Sequence, residues 1–298
     1  MRSIDTFSSY HPAVNFLYFT EVLLFSMFFM HPVCLIISLI GSVCYTVNMN
    51  GQKGVLFTLK FALPMLLITA LVHPAFGHEG ATILYYLPTG NPLTLESVLY
   101  GIAAGLMMAA VLIWFSCYNA VMTSDKFVYL FGRVIPALSL VLSMTLRFVP
   151  KFKAQLTVVA EAQASIGRDA SQGSLWQRTK KAATILSIMV TWALENAIET
   201  ADSMKSRGYG LPGRTAFSIY AFDGRDKTVM GWLIFCGMYI FSGSLAGGLR
   251  WRYSPSVAGV LWQVFPVSLY ITYFALCLTP VVINLKEERK WNALQSKI

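Results

Sequence analysis

Residues Arg147 to Lys227 form the longest stretch of this chain that a bilayer could not accept, and apolar runs lie on both sides of it. The stretch holds twelve Lys or Arg against seven Asp or Glu. It must stay in water while its flanks enter a membrane. Composition agrees. The chain of 298 residues is 56% hydrophobic and only 12% charged, where a soluble domain carries about 25% charged residues. Its net charge of +9 would point to nucleic acid in a soluble protein. Here the enrichment of Lys and Arg in cytoplasmic loops accounts for it, so nucleic acid is not an expected partner and the lipid bilayer is. Cys34, Cys44, Cys117, Cys236 and Cys277 all fall in apolar segments without a Cys-x-x-Cys pair. They read as small buried hydrophobes, neither a disulfide frame nor a metal site. No cleavable leader is expected.

An α-helical span needs about 20 apolar residues, with about 17 as the lower end. Val14 to Met30 is a short first span with one charge, Glu21; an intramembrane carboxylate is a functional candidate, but the preferred reading is that it faces another helix and pairs there, or is neutral. His31-Pro32 then breaks the helix, because proline lacks an amide hydrogen and disfavours helix in the residue before it. Val33 to Val47 follows as the return limb of a hairpin. Asn48 to Gly54 is a turn, and Val55 to Val72 a third span with Pro64 as its kink. His73 to Glu96 has no Lys or Arg and several Gly and Pro, so it is an outer loop. Ser97 to Val121 is the fourth span. Its Gly101 and Gly105 form a small-xxx-small pair, either a close helix contact or ordinary membrane glycines.

Phe127 to Val149 looks apolar enough to cross. A crossing there would place the basic insert outside, so a tilted or re-entrant helix is expected, interrupted early by Arg133 and Pro136. Val229 to Leu245 and Val257 to Ile283 complete six crossings, with five or seven as the alternatives. Arg250 and Arg252 lie in the outer turn between them, and Lys286 to Lys290 form an inner tail. No internal repeat appears, which counts against a self-sufficient secondary transporter.

Within the insert, two amphipathic arms are expected. The first runs from Pro150 to Ser165, with Phe152, Leu156 and Val159 on one face. The second runs from Ala182 to Ser206. Val190, Leu194, Ile198 and Ala201 line one side, and Glu195, Glu199 and Asp202 line another. Passive packing on headgroups suits the basic residues, but anionic lipid would repel the acidic stripe. Each arm ends in a turn bearing Arg and Gly: Ile166-Gly167-Arg168 and Ser206-Arg207-Gly208. Glycine stops a helix through positive φ. An arginine beside the stop projects from the tip, where its fork can pair with a partner's carboxylate.

Arg147-Phe148-Val149-Pro150, Glu161-Ala162-Gln163 and Ser203-Met204-Lys205-Ser206-Arg207-Gly208-Tyr209 resemble the transmembrane coupling subunit, or T component, of energy-coupling-factor transporters, over residues 145 to 227. The resemblance implies an all-α polytopic membrane bundle with cytoplasmic amphipathic coupling helices. It implies a division into an N-terminal bundle (1–126), a coupling domain (127–228) and C-terminal helices with a tail (229–298). It further implies a multi-pass subunit in a prokaryotic plasma membrane that docks on two cytoplasmic ABC ATPase subunits. Their motion would be passed to a substrate-binding membrane S component for vitamin or metal-ion uptake. The docking residues implied are Ser206, Arg207 and Gly208 at the second tip. At the first tip they are Ile166, Gly167 and Arg168. There Ile166 stands where the family has arginine, so either Arg168 substitutes by a local shift or the dock is apolar.

The chain has no Gly-x-x-x-x-Gly-Lys-Ser/Thr, so ATP hydrolysis would belong to other chains and no cofactor is expected. As alternatives, an integral-membrane enzyme would need more than His73, His78 and Glu79, which lack a third ligand partner at metal-site spacing. A stand-alone carrier or channel would show charges in several spans, not Glu21 alone. The topology is testable by labelling single cysteines in a background without the native ones. Arg178→Cys and Asp223→Cys should react only from the cytoplasmic side and Gly80→Cys only from outside; outside labelling of Arg178→Cys would overturn the assignment.

Overall fold

The computed structural model describes residues 5–86, 92–132, 135–209, 211 and 220–295. Arg133 lies outside these residues. Two compact units emerge, residues 1–123 with 220–298, and residues 124–219.

The larger unit is a helix bundle. After a 3-10 turn, Phe7–Ser9, come α1 (Pro12–Phe28) and α2 (Pro32–Asn50). Both begin the same way. His11 and His31 are N-caps whose Nδ1 accepts the amide hydrogen of Ala13 and Val33, and proline takes the first helical position, where no amide hydrogen is needed. The third His-Pro pair behaves differently. His73-Pro74 lies inside α4, which extends to Phe76, so the outer loop begins later than the pair suggests. Gly51, at φ +55, turns α2 into α3 (Gln52–Phe57), which continues through a π-helical turn, Thr58–Ala62, into α4 (Leu63–Phe76). The wide turn directly precedes Pro64, where a regular helix would bring the proline ring against the carbonyl of Lys60.

A short antiparallel pair, β1 (Ile83–Tyr86) with β2 (Pro92–Thr94), occupies the expected loop, and Thr94 caps α5 (Leu95–Val121). Later come α9 (Gly224–Leu245), a two-residue ribbon of β3 (Trp251–Arg252) and β4 (Ala258–Gly259), and α10 (Val264–Gln295). The last helix begins after the expected Val257 because the ribbon takes that segment. It also runs on through the charged tail, helped by the Lys290–Glu287 pair at 2.9 Å.

Among the described residues, five helical stretches are long and apolar enough to cross a membrane: Pro32–Asn50, Gly54–Phe76, Leu95–Val121, Gly224–Leu245 and Val264–Gln295. Pro12–Phe28 is a shorter apolar helix. This is an all-α membrane bundle. Its core gathers Tyr18, Phe19, Trp114, Leu233, Tyr273 and Leu276, each buried. Four of the cysteines are buried and Cys44 is exposed, which corrects the expectation for that residue. Glu21 packs against Gly237 of α9, where any side chain would collide with its carboxylate, but its buried Oε2 has no hydrogen-bond partner. It faces a neighbouring helix, as expected, and the unpartnered Oε2 fits the neutral alternative better than the paired one.

The glycines of α5 are a close contact. A Cβ on Gly105 would lie 2.7 Å from the carbonyl oxygen of Leu66, and one on Gly101 3.1 Å from that of Ala70, so α5 and α4 approach backbone to backbone. Gly105→Ala should therefore cost about 1–3 kcal/mol as an overpacked contact and lower the thermal midpoint in detergent. Gly231→Ala, with nothing within 4 Å of the added carbon, should leave it unchanged. Equal midpoints for the two variants would show that the α4–α5 approach is not tight.

The smaller unit holds α6 (Ser124–Gly132), α7 (Pro136–Ser165) and α8 (Leu175–Ser206). The segment Phe127 to Val149 is divided between α6, which ends at Gly132, and α7, which begins at Pro136, in line with the early interruption expected there, and α6 packs on α7. The first arm does not start at Pro150, which sits inside α7. A proline fits the first turn of a helix and, at a cost, its interior, and the sequence pattern alone does not separate the two. The second arm starts seven residues before Ala182, at Leu175. Ser174 and Gln177 form a reciprocal capping box there. That Ser-x-x-Gln spacing was readable as a helix start.

Candidate functional site

α7 and α8 run antiparallel, side by side. Lys151 donates to Oδ1 of Asn196 and lies 5.4 Å from the Trp192 ring centroid, while Phe152 meets Trp192 edge-on at 5.3 Å. Further along, Val159 of α7 packs on Ile185 and Met189 of α8, all three buried. Here the amphipathic pattern has its local effect: one face of each arm closes on the other. A second stripe on α8 remains uncovered among the described residues. Leu186, Val190, Leu194 and Ile198, each four residues from the next, are exposed. Glu195, Glu199 and Asp202 are exposed as well.

Both arms end in the same backbone device. At the end of α7, Ile166 is the C-cap, Gly167 has φ +78, its amide donates to Ala164 O, and the amide of Arg168 donates to Gln163 O. At the end of α8, Arg207 is the C-cap, Gly208 has φ +76, its amide donates to Lys205 O, and the amide of Tyr209 donates to Met204 O. Each is a Schellman cap, which satisfies carbonyls left free at a helix end. Superposing the two caps pairs Ile166 with Arg207, Gly167 with Gly208 and Arg168 with Tyr209.

Ile166 is 63% exposed, and Ser206, Arg207, Gly167 and Arg168 are exposed too. Neither arginine has an ion-pair partner among the described residues. The tips are far apart. Lys181 of α8 touches the first tip, and from there to Arg207 the chain runs about 26 residues of one helix, or about 39 Å.

The basic residues after the first tip hold its turn in place, a role the sequence pattern did not suggest. Lys181 Nζ donates to Asp169 O and Gln172 O, and Arg178 Nε donates to Ala170 O. The amide and hydroxyl of Ser171 donate to the Asp169 carboxylate and hold it below its ordinary pKa. The turn keeps that support above the usual carboxylate range and loses it only as pH falls through the depressed value.

A sequence profile of the cobalt transport protein family CbiQ matches residues 6–217. The chain belongs to this family. Among curated proteins, similar chains named energy-coupling factor transporter transmembrane protein EcfT occur in several bacteria. That of Bacillus selenitireducens is 31% identical over 112 residues, 37% of this chain and 42% of the relative. That of Macrococcus caseolyticus is 28% identical over 183 residues, 56% of this chain and 64% of the relative. A Listeria monocytogenes protein, EcfT 1, is 27% identical over 188 residues, 58% of this chain and 69% of the relative. The first of these alignments spans about two fifths of the relative's length. The CbiQ profile covers most of both units described above, including both arms.

The caps predict a local stability effect. An L residue in the left-handed region costs roughly 1–2 kcal/mol, so Gly167→Ala and Gly208→Ala should each loosen one tip. Hydrogen exchange at the amides of Arg168 and Tyr209 should accelerate in the matching variant and stay unchanged in the other. Unchanged exchange at both would mean that the caps do not hold the tips.

Proposed function

We propose that this chain is the transmembrane coupling subunit of an energy-coupling-factor importer in a prokaryotic plasma membrane, and that residues 127–228 carry its coupling work. One observation supports this most. Two antiparallel arms present the same capped tip twice, with exposed, unpaired side chains at equivalent positions, about 39 Å apart along α8. That spacing suits two docking grooves on two ATPase subunits better than one compact site. ATP hydrolysis would belong to those subunits and not to this chain. A push at either tip would be carried by a stiff helix, since α8 spans 32 residues without a break.

The uncovered stripe of Leu186, Val190, Leu194 and Ile198 is where a membrane S component would rest, with Glu195, Glu199 and Asp202 beside it for basic partner residues. The S component would choose the vitamin or metal ion. The equivalence of Ile166 with Arg207 favours an apolar first dock over a shifted Arg168.

The two tips should therefore fail differently. Arg207→Glu should abolish copurification of the ATPases, or keep them while uncoupling hydrolysis from uptake in proteoliposomes. Truncating one side of a buried, hydrogen-bonded charge pair costs about 3–5 kcal/mol. Arg207→Lys should recover part of the function, because a point charge lacks the planar fork. At the first tip, Ile166→Ala should weaken ATPase binding more than Arg168→Ala. Parental assembly and uptake by Arg207→Glu would reduce that residue to a headgroup contact and defeat the proposal.

A further inference from the structure

The last helix, α10, is longer than a bilayer needs. From Val264 to Leu285 it rises about 32 Å, close to the roughly 30 Å of a hydrocarbon core. Lys286 to Lys290 therefore emerge at the level of the headgroups, on the same unbroken helix.

One face of α10 changes chemistry at that level. Ile271, Phe274, Val282 and Leu285 are exposed, and with half-buried Leu278 their steps of three and four residues form a single stripe. Lys286, Arg289 and Lys290 carry the stripe on, all exposed. Together with Val282, Leu285 and Ala293 they line a shallow depression of about 600 Å³. Asn284, on the opposite side of the helix, is buried and bonded to Phe7, Asp5 and Asn48. The stripe thus faces away from the bundle, toward lipid.

The charges on this face have one sign. Glu287 and Glu288 fall off it, and Glu287 pairs with Lys290 at the edge, at 2.9 Å. Lys286 and Arg289 have no ion-pair partner among the described residues. Three residues apart, they are neighbours on the helix surface, near enough for one phosphate to meet both. The guanidinium can hold phosphate with two parallel hydrogen bonds, and the ammonium adds a point charge. An acyl chain continuing from that phosphate would run along Leu285, Val282 and Leu278. A zwitterionic headgroup brings its own cation and gains less from such a pair.

We propose that this face of α10 binds one anionic phospholipid, its phosphate held by Lys286 and Arg289 and an acyl chain laid along the apolar stripe. The site lies wholly in the bundle unit and does not depend on the docking role of the arms.

Native mass spectrometry of the full chain, stripped of lipid in detergent, should show phosphatidylglycerol as a saturable single adduct. Phosphatidylcholine with the same acyl chains should bind about fivefold more weakly or worse. Lys286→Gln and Arg289→Gln should each weaken the phosphatidylglycerol adduct about fivefold, and both together about thirtyfold, the worth of basic side chains at an anionic surface. Lys286→Arg should bind like the parent. So should Arg250→Gln, which removes an exposed arginine from another segment. The lipid-free thermal midpoint of the double variant should equal the parent's, and phosphatidylglycerol should raise the parent's midpoint alone. Four results would each overturn the proposal: equal binding of the two lipids; undiminished binding by the double variant; displacement of the lipid by glycerol 3-phosphate, which would make this a site for any soluble phosphate; or displacement by a soluble peptide of glutamates, which would make it a strip for an acidic protein.

Discussion

Four helices of the bundle are tied at one buried point. Trp114 Nε1 of α5 donates to Ser38 Oγ of α2 at 3.1 Å. The Ser38 hydroxyl shares a bond with Ser26 of α1 at 2.6 Å, and Ser26 shares another with Tyr273 of α10 at 3.1 Å. All four residues are buried. Hydrocarbon offers these groups no other partner, so a slip of any one helix would leave a polar group stranded. Apolar packing alone gives little preference between helix and lipid in a membrane. The knot supplies the register that greasy surfaces cannot, and the close contacts follow from it. A Cβ on Gly41 of α2 would lie 2.7 Å from Cys277 Cβ of α10, and Tyr18 donates to the Cys277 carbonyl at 3.0 Å.

A second polar clasp closes the end of the bundle that carries the N-terminal segment. The Asn284 side chain accepts the Phe7 amide hydrogen and donates to Asp5 and Asn48, while Tyr45 donates to Asp5. Asp226, within the capping box of α9, also accepts the amide hydrogen of His11. The short first helix is thereby fixed to α2, α9 and α10. The opposite end is different. There His73, His78 and Trp251 line a cavity of about 600 Å³. Between the two ends the buried polar groups fix helices to one another.

The two arms show how one backbone device can carry different chemistry. Ile166 and Arg207 share a cap geometry but offer an apolar and a cationic tip. A glycine at positive φ stops each helix cleanly, and the residue just before it is then displayed at a set angle. Alignment by sequence sets an arginine two residues late at the first tip against the second. Alignment by hydrogen bonds sets Ile166 against Arg207 without a shift.

Apolar run length was enough to find the apolar helices, though not their ends, because a helix in a bilayer must satisfy its own backbone over about 20 residues. By the same logic the charge of the insert argued against a membrane span within residues 147–227, and Gly167 and Gly208 marked where the arms stop. Family membership, too, was legible in the short runs around Arg147, Glu161 and Arg207. Other features depend on contacts between residues far apart in the chain. Trp114 and Ser38 are separated by 76 positions and Ser26 and Tyr273 by 247, and no local pattern records which serine meets which ring. Pro150 could begin a helix or sit within one, and only the packing of α7 on α8 placed it inside. His73 looked like the two capping histidines before it, yet the bundle draws α4 past it and turns the ring toward Tyr100. Local sequence sets what a segment can be; the energy that chooses among those options comes from neighbours that only the folded chain brings together.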